Sequence, residues 1–436
     1  MVWTSYKEQI KNISEQIIKV QKPIRIMDAI KHDASLFESF KKSKYKSIPK
    51  IPKDYYSPKN LEYSIHQKTK EFRAIKQNIS KVFGRDNDLG YLLNEIVEEY
   101  ILVLEMIKNR GKNKFYHISK KLYGSPQEPF LSDHNTIFEL GRLLYSILSG
   151  IKNTMDIPGG EKELTPEEVV KRLNQKLDSY FHSDEVLAVV SDGIVADAAA
   201  GGDKIKINGN RMFSPRQVDI YEVHEGWVHV GTTLNGRNQP VAKWLSVGPP
   251  RVASTQEGLA VLMEIFTFRT SVRRAQRIND RIIGIHKIEQ GANLIDIFEY
   301  FRTEGYPEQE CLDNAFRLFR GCHLNGGAAF TKDISYCRGF VENFNFMRSA
   351  IRANKPFLIP FLFVGKTHVK DIPLIYHLYQ DGIVEFPKYL PPHFQDINGI
   401  AVWMSFSTFL NKVDVRRVQS HFNKLFNQNF SIRPRI

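Results

Sequence analysis

Cysteine is scarce in this sequence, whose 436 residues include only Cys311, Cys322 and Cys337. No two of them form a Cys-x-x-Cys pair, so neither a disulfide framework nor a thiolate zinc site is expected, and a reducing compartment fits best. Long apolar runs are also missing: residues 356–364 are interrupted by Pro360 and are too short to cross a bilayer. Residues 1–17 lack the apolar stretch of a secretory signal. These absences predict a cytoplasmic protein without a membrane span.

Positive charge exceeds negative charge, with a formal net charge of +13. Such a balance favours nucleic acid, an anionic membrane face or an acidic peptide tail as partner, and a basic but inert surface is an equal alternative. Many lysines fall within the first sixty residues and alternate with tyrosines. No signature of a nucleic-acid-binding module accompanies them. We therefore expect no specific nucleic-acid partner, and a peptide or protein C-terminus remains a candidate.

Apolar residues recur at helical spacing along most of the chain and predict a predominantly α-helical, α+β protein. Three parts are expected: a basic helix with a Pro- and Lys-rich connector over 1–60, a helical part over 61–180, and the functional part over 181–436. The predicted helices cover residues 1–22, 61–83, 89–108, 137–148, a stretch opened by a Thr165 cap, and 254–277 with Ser254 or Thr255 as cap. Residues 231–250 are expected to form a loop.

The one convincing β region lies before the middle of the chain. Residues 186–190, 194–200 and 204–207 are separated by glycines and predict a small sheet with tight turns. Ser214 as N-cap and Pro215 at the first helical position then predict the start of the next helix. Residues 197–207 are a candidate edge strand that could bind an extended peptide, although they could also form a plain supporting hairpin.

The helix after this sheet carries His224, Glu225 and His229. Two imidazoles beside a carboxylate are what a zinc hydrolase needs: two ligands and a proton acceptor. The histidines are five positions apart, which separates them by about 140° on a regular α-helix. A π-type turn adds one residue and returns such positions to one face. A metal site here therefore predicts a widened turn between His224 and His229, and an accidental pair predicts none.

A third ligand is needed, and Glu257 in Gln-Glu-Gly-Leu-Ala is the candidate. Catalytic zinc sites commonly use two histidines and a glutamate and leave one position for water. Gly258 would let this helix approach another closely. The alternative is a capping box, since Ser254 and Glu257 reproduce the S-x-x-E pattern. The residues alone leave these two interpretations equal.

These motifs resemble those of the QEGLA-motif family, whose bacterial members are described as flavohaemoglobin expression-modulating. Its animal relatives are the microtubule-associated tyrosine carboxypeptidases. The similarity lies in the order of a small β region, His-Glu-x-x-x-His and Glu-Gly-Leu-Ala, and covers roughly residues 60–400. Residues 319–321 and 330–333, with Tyr336 and Gly339, also resemble family motifs, and residues 122–126 are a weaker match. The resemblance implies a zincin-like core of the gluzincin type.

The resemblance also implies one zinc ion per chain, held by His224, His229 and Glu257, with Glu225 as general base. It implies hydrolysis of a C-terminal peptide bond, with an aromatic residue such as tyrosine as a candidate product. The resemblance does not identify the substrate of this chain. Four residues after Glu257, where related peptidases orient a histidine with an acid, stands Val261. Glu264 could take that role, although an ordinary helix carboxylate is the favoured interpretation.

Three further residues complete the hypothesis. Tyr336 is the first choice as oxyanion donor, against an equal alternative as a packing residue. Arg320 and Lys332 are candidates to bind the terminal carboxylate, and a structural salt bridge is at least as good an interpretation for Lys332. Two other functions remain open: a zinc endopeptidase or amidase, and a basic regulatory protein without peptidase activity.

Overall fold

The computed structural model describes residues 2–426, except 53, 58–60, 85, 132, 153–160, 183–185 and 195. The predicted α+β class with mostly helical content is confirmed. The first helices are α1 (Val2–Gln21), α2 (Ile26–Ile30), α3 (Ala34–Lys42), α4 (Ile65–Phe83), α5 (Asp88–Lys108), α6 (Asn113–Tyr123), α7 (Ile137–Lys152) and α8 (Pro166–Phe181). Three strands follow: β1 (Leu187–Ser191), β2 (Ala198–Gly201) and β3 (Lys204–Asn208).

The remaining helices are α9 (Pro215–Tyr221), α10 (Gly231–Asn238), α11 (Ala253–Phe266), α12 (Val272–Glu289), α13 (Leu294–Thr303), α14 (Glu308–Leu318), α15 (Ser335–Arg352), α16 (Ile372–Gln380), α17 (Pro392–Gln395), α18 (Asn398–Leu410) and α19 (Val415–Phe426). Among the described residues, no helix combines the length and apolarity needed to span a membrane. Part of the predicted connector, namely Lys53, Pro58 and Lys59, lies outside the described residues.

Capping residues explain why several helices begin where the sequence predicts. Ser64 accepts a hydrogen bond from the Gln67 amide at the start of α4, and Asn87 caps α5. Thr165 and Glu168 form the reciprocal capping box of α8. These side chains satisfy backbone amides that lack a partner in the first turn of a helix.

Two predictions after the β region are wrong. Residues 231–250 are not a loop, because α10 occupies Gly231–Asn238. Gly236 lies inside α10 and allows the chain at Leu245 to pack closely against it: a Cβ there would lie 2.1 Å from the Leu245 carbonyl oxygen. The helix expected over 254–277 is two helices, α11 and α12, separated at Phe268 with a φ of 54°.

Neither Ser254 nor Thr255 caps α11. A 3-10 turn, Pro250–Val252, leads directly into this helix and supplies the capping position. Thr255 is fully buried, and its hydroxyl accepts a hydrogen bond from the Val369 amide. The capping-box alternative for Glu257 therefore fails.

The sheet has the order β1-β3-β2, with β1 parallel and β2 antiparallel to β3. Only the β2 half of the predicted edge segment is an edge, because β3 is paired on both sides. The largest hydrophobic cluster joins α1, α4 and α5 to the helices that carry His224 and Glu257; its members include Ile13, Phe72, Val97, Val223 and Leu259. The helices of the site are thus fixed in a shared core.

α11 and α15 cross at Gly258 and Gly339. A Cβ added to Gly258 would lie 2.0 Å from the Gly339 carbonyl carbon, and one added to Gly339 would lie 1.6 Å from the Ser254 carbonyl oxygen. The prediction that Gly258 permits a close helix approach is confirmed. This crossing sets the position of Glu257, the residue before Gly258.

Gly258→Ala is expected to destabilise the protein by about 1–3 kcal/mol, as overpacked core substitutions do. Gly399→Ala is the matched control, since no atom lies within 4 Å of a Cβ built at this helical glycine. It should be neutral or slightly stabilising. Urea unfolding of both variants measures the difference, and equal midpoints would contradict the tight crossing.

Candidate metal centre

Residues Glu222–Val230, between α9 and α10, form a π-helix. The predicted widened turn between the two histidines is confirmed. In a π-helix the backbone hydrogen bonds join residues five positions apart. This brings the rings of His224 and His229 to one side, with centroids 5.0 Å apart and ring planes at 85°. The spacing that is wrong for an α-helix is therefore right for this backbone.

Side chains stabilise this unusual segment at its end. The Thr232 hydroxyl donates to the Val228 carbonyl at 2.6 Å, and the Thr233 hydroxyl donates to the His229 carbonyl at 2.7 Å. The Lys366 ammonium also donates to the His229 carbonyl, at 2.9 Å. Such bonds satisfy carbonyls in a helix whose normal ladder is disturbed.

Glu257 faces both histidines across the α11 interface. Its Oε2 lies 3.6 Å from His229 Nε2 and 3.8 Å from His224 Nε2. One ligand atom from each residue lies within 4.8 Å of the others, and no other such group is found in the described part of the chain. Ligands of tetrahedral zinc, with bonds near 2.0–2.1 Å, lie about 3.3 Å apart. The donor set and its spacing fit a zinc ion.

Glu264 is not an ordinary helix carboxylate, which corrects the favoured sequence interpretation. It is fully buried, and its Oε1 lies 2.7 Å from His224 Nδ1. Arg274 donates to both of its oxygens, at 3.0 and 2.8 Å. Burial opposes ionisation of Glu264, but Arg274 and His224 lower its pKa to about 2. An ionised acceptor requires the proton of His224 on Nδ1, which leaves Nε2 to face Glu257.

Neighbouring charges also shift the pKa values of the candidate ligands His224 and Glu257. Burial acts to lower the pKa of His224, but the bond to Glu264 and the charges of Glu225 and Glu264 raise it. Burial acts to raise the pKa of Glu257, but Lys332 and the two histidines hold it well below its usual range. Glu257 is therefore a carboxylate at neutral pH.

Lys332 forms an ion pair with Glu257 and is not an unpaired cation. Its Nζ donates to Glu257 Oε1 at 2.6 Å, so the salt-bridge alternative describes its position. The pair occupies one oxygen of the carboxylate and leaves Oε2 towards the histidines. Such a contact orients a ligand side chain. A substrate contact by Lys332 stays a prediction.

Glu225 lies at the edge of the sheet. Its Oε2 accepts a hydrogen bond from the Ala200 amide of β2 at 2.9 Å, and its Oε1 lies 3.9 Å from His224 Nε2. The outer edge of β2 thus adjoins the histidines. This carboxylate is close to the three candidate ligands without being one of the grouped ligand atoms.

A cleft opens beside His224, Glu225 and Tyr336. The Tyr336 ring stacks on the His224 ring with centroids 6.3 Å apart. Burial, together with Glu257, raises the pKa of Tyr336, so its hydroxyl stays protonated and can donate a hydrogen bond. A second cleft is lined by Ala200, His229, Glu257 and others.

Arginines crowd the first cleft, including the predicted Arg320. Arg317 occupies both oxygens of Asp333. Burial and the charge of Arg317 lower the pKa of Arg320 to about 10 and that of Arg281 to about 9. Both remain cationic at neutral pH, and within the described residues no carboxylate pairs with Arg320.

Sequence analysis missed Arg274, Arg281 and Lys366. Arg274 and Arg281 stand on α12, which was not separated from α11, and no motif marks them. The Lys366 ammonium also contacts Thr232 Oγ1 at 3.0 Å and Gln256 Oε1 at 2.9 Å. Burial lowers its pKa to about 7, against the charges of Glu257 and Glu225.

Comparison with known proteins supports the motif resemblance. A search of curated proteins found no match. A family model does match, and it spans residues 38–412, which include every candidate site residue. The chain therefore belongs to the microtubule-associated tyrosine carboxypeptidase family.

Proposed function

We propose that this chain is a zinc-dependent metallocarboxypeptidase with a zincin-like core. The observation that carries the proposal is the convergence of His224, His229 and Glu257 beside Glu225 and an arginine-lined cleft. A structural zinc site is closed by four protein ligands, whereas three ligands leave one position for water. The family match supports a carboxypeptidase activity independently of this geometry.

His224, His229 and Glu257 would hold one zinc ion. When bound, the ion supplies Lewis-acid chemistry, lowering the pKa of a water molecule and polarising the scissile carbonyl. Glu264 and Lys332 orient these ligands through His224 Nδ1 and Glu257 Oε1. The ligand side chains are thus preorganised before the substrate binds, as electrostatic catalysis generally requires.

Glu225 is the proposed general base. Its Oε2 is fixed by the Ala200 amide, which keeps Oε1 on the side of His224. From there it accepts the proton of the attacking water and delivers it to the leaving amine. Tyr336, which lines the same cleft, is the proposed hydrogen-bond donor to the oxyanion.

Substrate binding uses β2 and the two clefts. Ala198 at one end of β2 lines the arginine-rich cleft, and Ala200 lines the second cleft. An extended peptide along the outer edge of β2 would pass the candidate ligands and end in the arginine-rich cleft. There Arg320, together with Arg281, would pair with the terminal carboxylate. The net charge of +13 favours an acidic peptide or protein tail.

Peptides that differ only in a free or amidated C-terminus test this function. We expect purified, zinc-loaded protein to release the last residue of the free peptide, aromatic residues first, and to leave the amide intact. Mass spectrometry of the products, with zinc quantified per chain, gives the result. Internal cleavage of both peptides would favour the endopeptidase alternative, and no cleavage of either would favour the regulatory one.

Arg320→Gln is expected to lower kcat/KM for the free-acid peptide by about ten- to hundredfold, the strength of a hydrogen bond to a charged group. Folding should be unaffected, since no ion pair of Arg320 is found among the described residues. Arg317→Gln is the contrasting control, because it removes the two-pronged ion pair with the buried Asp333, leaves only Arg281, at 3.7 Å, among its described ion-pair partners, and should lower the melting temperature. An unchanged rate in Arg320→Gln would remove it from carboxylate recognition.

A further inference from the structure

A polar cavity lies where α6 ends and where α11 and α15 begin. Four cationic side chains line it against one carboxylate, Glu128: Lys120, Lys121, Arg251 and Arg338. The motif at 122–126, which the catalytic proposal leaves without a role, contributes Leu122, Tyr123 and Gly124 to its wall. The cavity adjoins the second cleft, since Tyr123 and Pro250 line both.

Two helix N-termini converge on this cavity. Ser254 stands at the second position of α11 and Ser335 at the first position of α15, and both line it. The close crossing at Gly258 and Gly339 holds the first turns of these 14- and 18-residue helices together. Each helix continues from a 3-10 turn, whose Pro250 and Lys332 carbonyls accept the Ala253 and Ser335 amides, so the two N-termini contribute partial positive charge rather than free amides.

Buried donors point to the same ligand chemistry. Ser254 is 8% exposed and Ser335 is 2% exposed, and neither hydroxyl has a hydrogen-bond partner among the described residues. Arg251 donates through Nη2 to Asp371 at 2.9 Å, whereas its Nη1 is buried without a partner. His368 accepts the Lys370 amide at Nδ1, so its Nε2 carries the proton. A buried donor such as Nη1 of Arg251 is costly unless an acceptor reaches it, and the two serine hydroxyls line the same cavity.

The nearby carboxylates only partly balance the cationic lining. Glu128 lies 3.5 Å from Arg338 Nη1, and Glu342 accepts from Arg338 Nε at 3.0 Å. Asp371 pairs with the Arg251 guanidinium, and Glu99 accepts the Arg251 backbone amide at 2.7 Å. These contacts fix the two guanidinium groups, while Lys120 and Lys121 are exposed at the rim and have no ion pair in the described part of the chain. The rim lysines and two helix N-termini supply the excess positive field.

We propose that this cavity binds a phosphate-type oxyanion, either inorganic phosphate or the phosphoryl group of a small ester. A tetrahedral oxyanion offers several acceptor oxygens to the two serine hydroxyls and to Nη1 of Arg251. The proposal does not depend on peptidase activity. It assigns a ligand to a cavity separate from the candidate metal ligands, so the two proposals can fail independently.

Isothermal titration of the zinc-loaded full chain with inorganic phosphate, at constant ionic strength set with sodium chloride, tests the proposal. We expect one site per chain. Ser335→Asp places a carboxylate in the cavity, at a helix position that favours acids. It should weaken phosphate affinity at least tenfold while zinc content and melting temperature stay unchanged. Unaltered affinity in this variant, or no binding by the native chain, would overturn the proposal.

Additional variants and a second ligand complete this test. Lys120→Gln/Lys121→Gln should weaken binding several-fold, whereas Lys70→Gln/Lys81→Gln, which removes two exposed lysines from α4, should have no effect. Should Ser335→Asp fail to fold, Ser254→Ala/Ser335→Ala is expected to reduce affinity at least tenfold, and undiminished binding would contradict the site. O-phosphoserine binding tenfold tighter than phosphate identifies an ester ligand, and equal affinity identifies the free ion.

Discussion

Replacing Glu225 by glutamine is expected to reduce turnover by about 10²–10⁴-fold, the usual contribution of general acid–base catalysis. Glutamine keeps an oxygen that can accept the Ala200 amide, so the side chain should hold its place beside β2. It cannot take a proton from water. Because Glu225 is not among the grouped ligand atoms, zinc content should stay at one ion per chain.

Single-turnover cleavage of a free-acid peptide, together with zinc analysis of the same sample, measures both halves of this expectation. Glu15→Gln is a suitable control, since Glu15 is exposed on α1 and lines neither of the two clefts. Full activity of Glu225→Gln with zinc bound would disprove the assigned mechanism. Loss of activity together with zinc would instead give Glu225 a part in metal retention.

The histidine spacing was informative because a π-helix has a definite geometric requirement. A separation of five positions places His224 and His229 on one face only if the turn is widened, and the structure contains that turn. Gly258 was informative for a similar reason, since close helix crossings exclude a Cβ. Both inferences used local backbone geometry, which the sequence encodes directly through spacing and residue size.

Contacts made by the tertiary fold were not predictable in this way. Glu264 is separated from His224 by forty residues, and its partner Arg274 lies on the next helix. Lys366 reaches the π-helix from 137 residues beyond His229. Nothing in the residue types distinguishes these side chains from surface charges, because their roles depend on burial and on which helices pack together.

Glu264 carries the second large prediction. Glu264→Leu should lower the unfolding free energy of the metal-free protein by about 3–5 kcal/mol, the usual result of removing one partner from a buried ion pair. Arg274 would be left without the carboxylate that now accepts from both its Nε and Nη2. Zinc affinity should also fall, by about 10–100-fold, because His224 would lose the acceptor that fixes its ring and its tautomer.

The double variant Glu264→Leu/Arg274→Met separates these two effects. Removing both charges leaves no stranded ion, so urea unfolding of the metal-free form should return close to the native value. Zinc affinity, measured by competition with a chelator, should stay low because the Nδ1 acceptor of His224 is still absent. If the double variant bound zinc as tightly as the native chain, Glu264 would serve only to neutralise Arg274. Weak binding in a fully stable double variant would make it a positioning residue of the metal centre.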